Sequence, residues 1–350
     1  MRLASQWVTH PWVAQGAGVV RFGVELFPLP RDWSTVVAMA RLVEALEFDS
    51  LWVADHPTTG SDCWTTLAAL ATVTTNIRLG SLTSCVLYRH PVVLARMAAD
   101  VDRISNGRLV LGLGIGDHAE EFAQLGLTFP SVRRRQVALE ETIQILRGVW
   151  SDSPFTYTGE FFHVENTRSW PGPVQEPRVP LLIAGGGERV TLHQVAEYAD
   201  ASNFGAHSYT GSAFTVADVV RKYAALREHC QALGRPYESV LRSHFTFPLV
   251  LAETPAAVQA KLDRSSSDWL AFTNKSRIAG TPREVANQYR ALAGVGVSYF
   301  IATVCEDDVE TVRLLAEQVR PMVTSSHSPA TVATCLSTGH VDRAISCPSA

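Results

Sequence analysis

Eight times along this chain a short apolar run gives way to a stretch of helical hydrophobic spacing, and that alternation restricts the fold more than any other feature. The runs cover 19–27 (VVRFGVELF), 51–55 (LWVAD), 77–85 (IRLGSLTSC), 108–116 (RLVLGLGIG), 180–186 (PLLIAGG), 201–205 (ASNFG), 239–252 (SVLRSHFTFPLVLA) and 297–304 (VSYFIATV). Near-continuous apolar strands separated by helices imply a parallel sheet with covered faces. After the first run, Val36, Ala40, Val43 and Leu46 share a helical face; after the fourth, Leu139, Ile143, Leu146 and Trp150 do. Pro91 suits a first helical turn after the third.

Eight such units between residues 19 and 324 predict an α/β fold, a closed (β/α)8 TIM barrel; a doubly wound open sheet is the second reading. Residues 151–179 break the rhythm and are aromatic and proline-rich. They are too long for a plain connection and read as an insertion after the fourth strand–helix unit, a hairpin over the barrel mouth. Residues 1–18 are then an N-terminal extension. Residues 325–350, rich in Ser, Thr and Ala without period, read as a flexible tail.

Composition narrows the function. Of 350 residues, 46% are hydrophobic and 18% charged, enough for a large core. A net charge of -4 with no basic stripe argues against nucleic acid. No apolar run reaches the roughly 18 residues of a membrane span, and no signal peptide is visible, so a cytoplasmic location is expected. Six cysteines without a CxxC pair read as free thiols of a reducing compartment. There is no HxH, HExxH or GxxxxGK[ST], which removes support for metal hydrolysis and for a P-loop. The DHAEE run at 117–121 reads as the start of an exposed helix rather than a metal site. Lys222, Lys261 and Lys275 are the only lysines, and none falls at a predicted strand end, so Schiff-base chemistry is excluded.

Barrels carry their chemistry at the C-terminal ends of the strands. Asp55 and His56 stand at such an end, where they either cap the strand or form the floor of an active site. Gly112, Gly114 and Gly116 alternate along one strand face, predicted to be the lumen, with Asp117 and His118 just beyond. Small residues there relieve a crowded interior or admit a close approach. The spacing Gly112-x-Gly114-x-x-Asp117 lacks the third glycine of a dinucleotide fingerprint. Gly185, Gly186 and Gly187 follow a strand and precede a helix, where free N–H groups and the helix dipole suit a phosphate. Together these features suggest a large phosphorylated organic cofactor across the mouth. His56 is the first candidate for general acid or base, because imidazole titrates near neutrality, and Asp117 is the second. Arg133, Arg134 and Arg135 in a first helical turn read as a solvated face, or as partners of an anion.

The stretches FDSLWVADH, RLGSLTSCVLYRHPVVLARMAADVDRISNGRLVLGLGIG, PLLIAGGGE and ADASNF lie in order over residues 19–324. In them the chain resembles the bacterial luciferase-like superfamily of flavin- and deazaflavin-dependent oxidoreductases. The resemblance implies a (β/α)8 barrel with Asp55 and His56 beside the cofactor ring. It also implies a non-proline cis peptide within Ser81, Leu82, Thr83 and Ser84, with Gly114 and Gly116 on the same cofactor. Gly185, Gly186 and Gly187 would hold the phosphate, and Asn203 would lie at the next strand end. Many relatives carry a tryptophan where this chain has Asp117, and ADGWN where it has Asp200-Ala201-Ser202-Asn203.

Asp117 moves the cofactor reading to coenzyme F420, with hydride exchanged with a small organic substrate under the 151–179 insertion. The alternatives are an FMN-dependent monooxygenase, which would need dioxygen and a flavin reductase partner, and a non-catalytic flavin-binding barrel. A homodimer is the expected assembly.

Overall fold

The eight apolar runs become eight parallel strands: β1 Arg21–Leu26, β2 Ser50–Val53, β3 Arg78–Ser81, β4 Leu109–Gly114, β5 Leu181–Ala184, β6 Ala201–Gly205, β7 Leu241–Thr246 and β8 Tyr299–Val304. A computed structural model describes residues 7–26, 32–305 and 308–325, so all of the predicted tail except Ser325 lies outside the described residues. β1 pairs with β8 through Arg21 and Tyr299, and β3 pairs with β4 through Leu79 and Leu109. The ring is closed, and the open-sheet reading is excluded.

The outer helices are α1 Trp33–Ala45, α2 Cys63–Val73, α3 Pro91–Ile104, α4 Val132–Val149, α5 Thr191–Tyr198, α6 Val216–Ala232 and α7 Pro282–Gly294, followed by a last helical run from Val309–Leu314 to Arg320–Thr324. Pro91 occupies the first turn of α3, and His90 caps it by accepting from the Val92 N–H. Leu139, Ile143 and Leu146 of α4 are fully buried against Leu109, Leu111 and Leu113, the outward face of the glycine strand. The lumen holds a separate cluster that includes Trp52, Val110, Leu182, Tyr299 and Ile301.

Two features of the core were not expected from the sequence. The N-terminal extension is a plug: helix Pro11–Ala14 places Trp12, fully buried, in the lumen cluster at the N-terminal end of the strands. There Arg21 donates to the Trp12 carbonyl, and the Trp12 ring meets Tyr299 edge-on at 6.0 Å. The run at 239–252 is two strands, not one. After β7 the chain leaves the barrel into a small parallel pair, Leu249–Leu251 with Ile278–Gly280, carrying helices Pro255–Leu262 and Ser267–Phe272.

The 151–179 insertion does form an antiparallel hairpin, Phe155–Thr158 with His163–Thr167. Its position corrects the expected cover over the mouth. Glu141 of α4 accepts the N–H groups of Glu160, Phe161 and Phe162 at its tip, and Asp102 of α3 accepts those of Val174 and Gln175. Buried carboxylates on two outer helices thus tie the insertion to the barrel's flank, and no residue of 151–179 lines the mouth cavity. Among the described residues no helix is long and apolar enough to cross a membrane.

Candidate active site

A cavity of about 790 Å³ opens at the C-terminal ends of the strands. Of the residues expected there, Asp55, His56, Leu82, Thr83, Gly114, Gly116, Asp117, Gly185, Gly186 and Gly187 line it. Ser81, Ser84 and Asn203 do not, because each is spent inside the barrel. Ser81 Oγ donates to the Gly112 carbonyl, Ser84 Oγ accepts from the Trp64 indole, and Asn203 Nδ2 donates to Ser243 Oγ.

The chain crosses into the lumen after β3, and the Leu82–Thr83 peptide is cis, inside the segment where a non-proline cis bond was expected. The alternating glycines of β4 are explained at this crossing. A Cβ on Gly112 would overlap the Ser81 carbonyl, and one on Gly114 would overlap the Thr83 hydroxyl. They admit a neighbouring piece of backbone first, and Gly114 then forms part of the cavity wall.

Asp55 and His56 sit side by side in sequence but do different work. Both Asp55 oxygens are taken by Arg89, at 2.6 and 3.0 Å, and Arg89 also reaches Asp62 at 2.8 Å. Burial pushes the Asp55 carboxyl above its ordinary value against the pull of that guanidinium, while the two carboxylates hold Arg89 firmly protonated despite its own burial. Asp55 therefore anchors the strand end through Arg89, with its side chain fully buried.

His56 turns to the cavity. Its Nδ1 lies 2.9 Å from Glu121 Oε2, which also accepts from the Tyr88 hydroxyl at 2.6 Å, and Glu121 Oε1 accepts from Thr58. Burial opposes ionisation of Glu121, but the Tyr88 and His56 bonds outweigh it and hold the carboxyl below its ordinary value. An ionised Glu121 fixes the proton on His56 Nδ1 and leaves Nε2 as the basic nitrogen. Glu121 was read from sequence as part of an exposed helix. Helix Ala119–Gln124 does form, yet Glu121 and Phe122 on its inner face are buried.

Asp117 bonds its neighbour His118 at 2.6 Å, which raises the imidazole above its usual value, and their side chains stand about one-third and two-fifths exposed at the rim. The arginine run divides by direction. Arg135 is buried and donates to the Gly116 and Pro130 carbonyls; Arg134 pairs with Glu160; Arg133 and Arg189 line a second, adjoining groove beside Gly187.

The glycine loop is also three separate cases. Gly185 has φ +124°, a conformation L side chains rarely adopt, and Gly186 packs on the Gly211 backbone under the Lys222 ammonium, which donates to the Gly186 carbonyl at 2.6 Å. Only Gly187 is exposed. The N–H groups of Gly186 and Gly187 donate to no partner among the described residues, which fits a phosphate acceptor.

Two more parts of the site were missed. Rings from five segments run across the mouth in one arc: His56 to His118 (5.2 Å), Tyr209 (5.0 Å), His207 (4.9 Å), Phe247 (5.4 Å) and Phe245 (5.9 Å), with Phe272 4.8 Å from His207. Below them Glu25 of β1 is buried in the lumen and accepts from Thr303 Oγ1 at 2.5 Å. Burial pushes its carboxyl up to about 8, so it is protonated at neutral pH.

The sign of that shift gives a test. A folded-state value above the unfolded one contributes stability that is full below about pH 4.5, is lost as pH rises through about 8, and is then flat. Glu25→Gln should lose this part of the slope. Urea unfolding of both proteins from pH 5 to 9 should show the wild type's advantage over the variant shrinking as pH rises; parallel curves would place the Glu25 carboxyl at its ordinary value.

Comparison with known proteins now adds to this geometry. A family model described as luciferase-like monooxygenase matches residues 1–277. The F420-dependent hydroxymycolic acid dehydrogenase of Mycobacterium tuberculosis is 29% identical over 260 residues, covering 72% of this chain and 67% of that protein. Pyrimidine monooxygenase RutA of Acinetobacter baylyi is 27% identical over 300 residues, 75% of this chain and 78% of that protein. Among solved structures, the coenzyme F420-dependent tetrahydromethanopterin reductase of Methanopyrus kandleri superposes with a TM-score of 0.72 at 20% identity, over 87% of this chain and 99% of that one, and shares the fold.

Proposed function

The chain belongs to the luciferase-like monooxygenase family and is an oxidoreductase of that class, and we propose that its cofactor is coenzyme F420, used to exchange a hydride with a small organic substrate. The observation that carries this reading is the His56–Glu121–Tyr88 relay at an open strand end. Hydride transfer to or from a hydroxyl or carbonyl carbon requires a proton to move at the adjoining oxygen, and His56 Nε2 is placed to take or return it. F420 supplies the hydride chemistry when bound; the protein's part is to hold the ring and manage the proton. Dioxygen chemistry on a flavin instead favours a site closed to water. Here an acid, Asp117, stands just past β4 where many luciferase-like enzymes carry a tryptophan, and we take this as favouring the deazaflavin over FMN.

The cradle fits such a cofactor. Leu82, Thr83 and Gly114 form one wall of the cavity, and the Gly186 and Gly187 N–H groups suit its phosphate.

Titration with F420 and, separately, FMN tests the proposal. F420 should bind at least about tenfold tighter, a difference of about 1.4 kcal/mol; tighter FMN binding would sink it. The same titration on Gly187→Asp tests the phosphate loop. Gly187 is exposed, and a Cβ there would press only on the Thr191 hydroxyl, a side-chain end that can give, so the fold should survive while the added carboxylate weakens F420 by about tenfold or more. Unchanged affinity in the folded variant would put the phosphate elsewhere.

A further inference from the structure

We infer that the substrate is an uncharged organic molecule with a flat or cyclic apolar body, held against the ring wall that β6, β7 and helix Ser267–Phe272 build across the mouth. The inference rests on the oxidoreductase reading above and adds the class of molecule the site selects.

The wall itself is the first argument. Tyr209, His207, Phe247, Phe245 and Phe272 stand at ring distances of 4.8 to 5.9 Å from a neighbour, and several pairs meet edge to face. Tyr209 and Phe272 remain 48% and 47% exposed although they face the cavity mouth. Aromatic side chains left half bare around a concave site offer faces and edges to another ring or an aliphatic ring body.

Charge is the second argument. Arg135 is the one lysine or arginine lining this cavity among the described residues; its Nε and Nη1 donate to the carbonyls of Pro130 and Gly116, and its guanidinium lies 4.0 Å from the Phe129 ring. Desolvation lowers the His207 imidazole below its usual value, which disfavours a positive charge on that ring. A phosphate or carboxylate seated among these rings would lose its water with no lysine or arginine among them. Of the lining acids, Asp55, Glu121 and Asp117 already hold Arg89, His56 and His118, Glu25 is buried in the floor, and Glu120 is exposed to solvent. What remains is a surface for an apolar body. Protonated Glu25 in the floor can hydrogen-bond one hydroxyl or carbonyl without adding charge.

Equilibrium dialysis with acetophenone and with glucose 6-phosphate, each with and without saturating F420, reads the selectivity directly. Acetophenone should bind at least about tenfold tighter than the sugar phosphate. Tyr209→Ala and Phe272→Ala should each weaken acetophenone by roughly three- to tenfold, the usual worth of one ring contact, and leave F420 affinity unchanged. No acetophenone binding, equal or tighter binding of glucose 6-phosphate, or wild-type acetophenone affinity in both variants would overturn the inference. F420 binding, followed separately by its own absorbance, distinguishes the two readings: its loss overturns the cofactor assignment while the acetophenone comparison still judges the wall.

Discussion

Replacing His56 by alanine should lower turnover by about 10²–10⁴, the usual worth of a positioned proton-transfer group, in a protein that still folds and binds cofactor. The reason is that His56 contributes little to the fold. Its ring is about a third exposed, and its one strong bond runs to Glu121, which keeps Tyr88 and Thr58 as partners when the imidazole is gone. Glu121 acts through His56 and is a positioning residue. Glu121→Gln no longer forces the proton onto Nδ1, so turnover should fall and the pH–rate profile should change shape, because the His56 proton is no longer held by a carboxylate. Steady-state kinetics and cofactor titration on both variants separate the roles. Near-normal turnover in His56→Ala would reduce the end of β2 to a capped strand.

The largest effect on stability is expected at Arg89, which lies in the family motif but to which the sequence assigned no role. Arg89→Met should destabilise the protein by about 3–5 kcal/mol, because it leaves a buried carboxylate without its counter-charge. The Asp55 side chain is fully buried, and both its oxygens depend on that guanidinium. Much of the loss is the penalty of the orphaned charge. Adding Asp55→Asn to Arg89→Met should therefore recover part of it, although Asp62 also loses a bond. Chemical denaturation of the single and double variants gives the comparison. A double variant no more stable than Arg89→Met would mean that the guanidinium's packing, not its charge, holds the end of β2.

The sequence by itself determined the barrel, because strand and helix periods are local properties and each of the eight units repeats them. It also placed those residues whose neighbours in the chain are their neighbours in space: Asp55 beside His56, Asp117 beside His118, and glycines alternating along one face of β4. It located the cis-linked turn after β3 through the family motif that surrounds it. The remainder depended on contacts between distant segments. Glu121 reaches His56 across 65 residues, Arg89 reaches Asp55 across 34, and Thr303 reaches Glu25 across 278. No local pattern marks such pairs, since a charged residue on a helix reads the same whether its face meets water or a strand end. The insertion shows the same limit. Its composition announced a hairpin, but Glu141 and Asp102, carboxylates buried on two outer helices, decided that it lies along the flank and left the mouth to rings from β6, β7 and the excursion after β7. Periodicity sets which face of an element is apolar; only closure of the barrel sets which polar groups that face brings together.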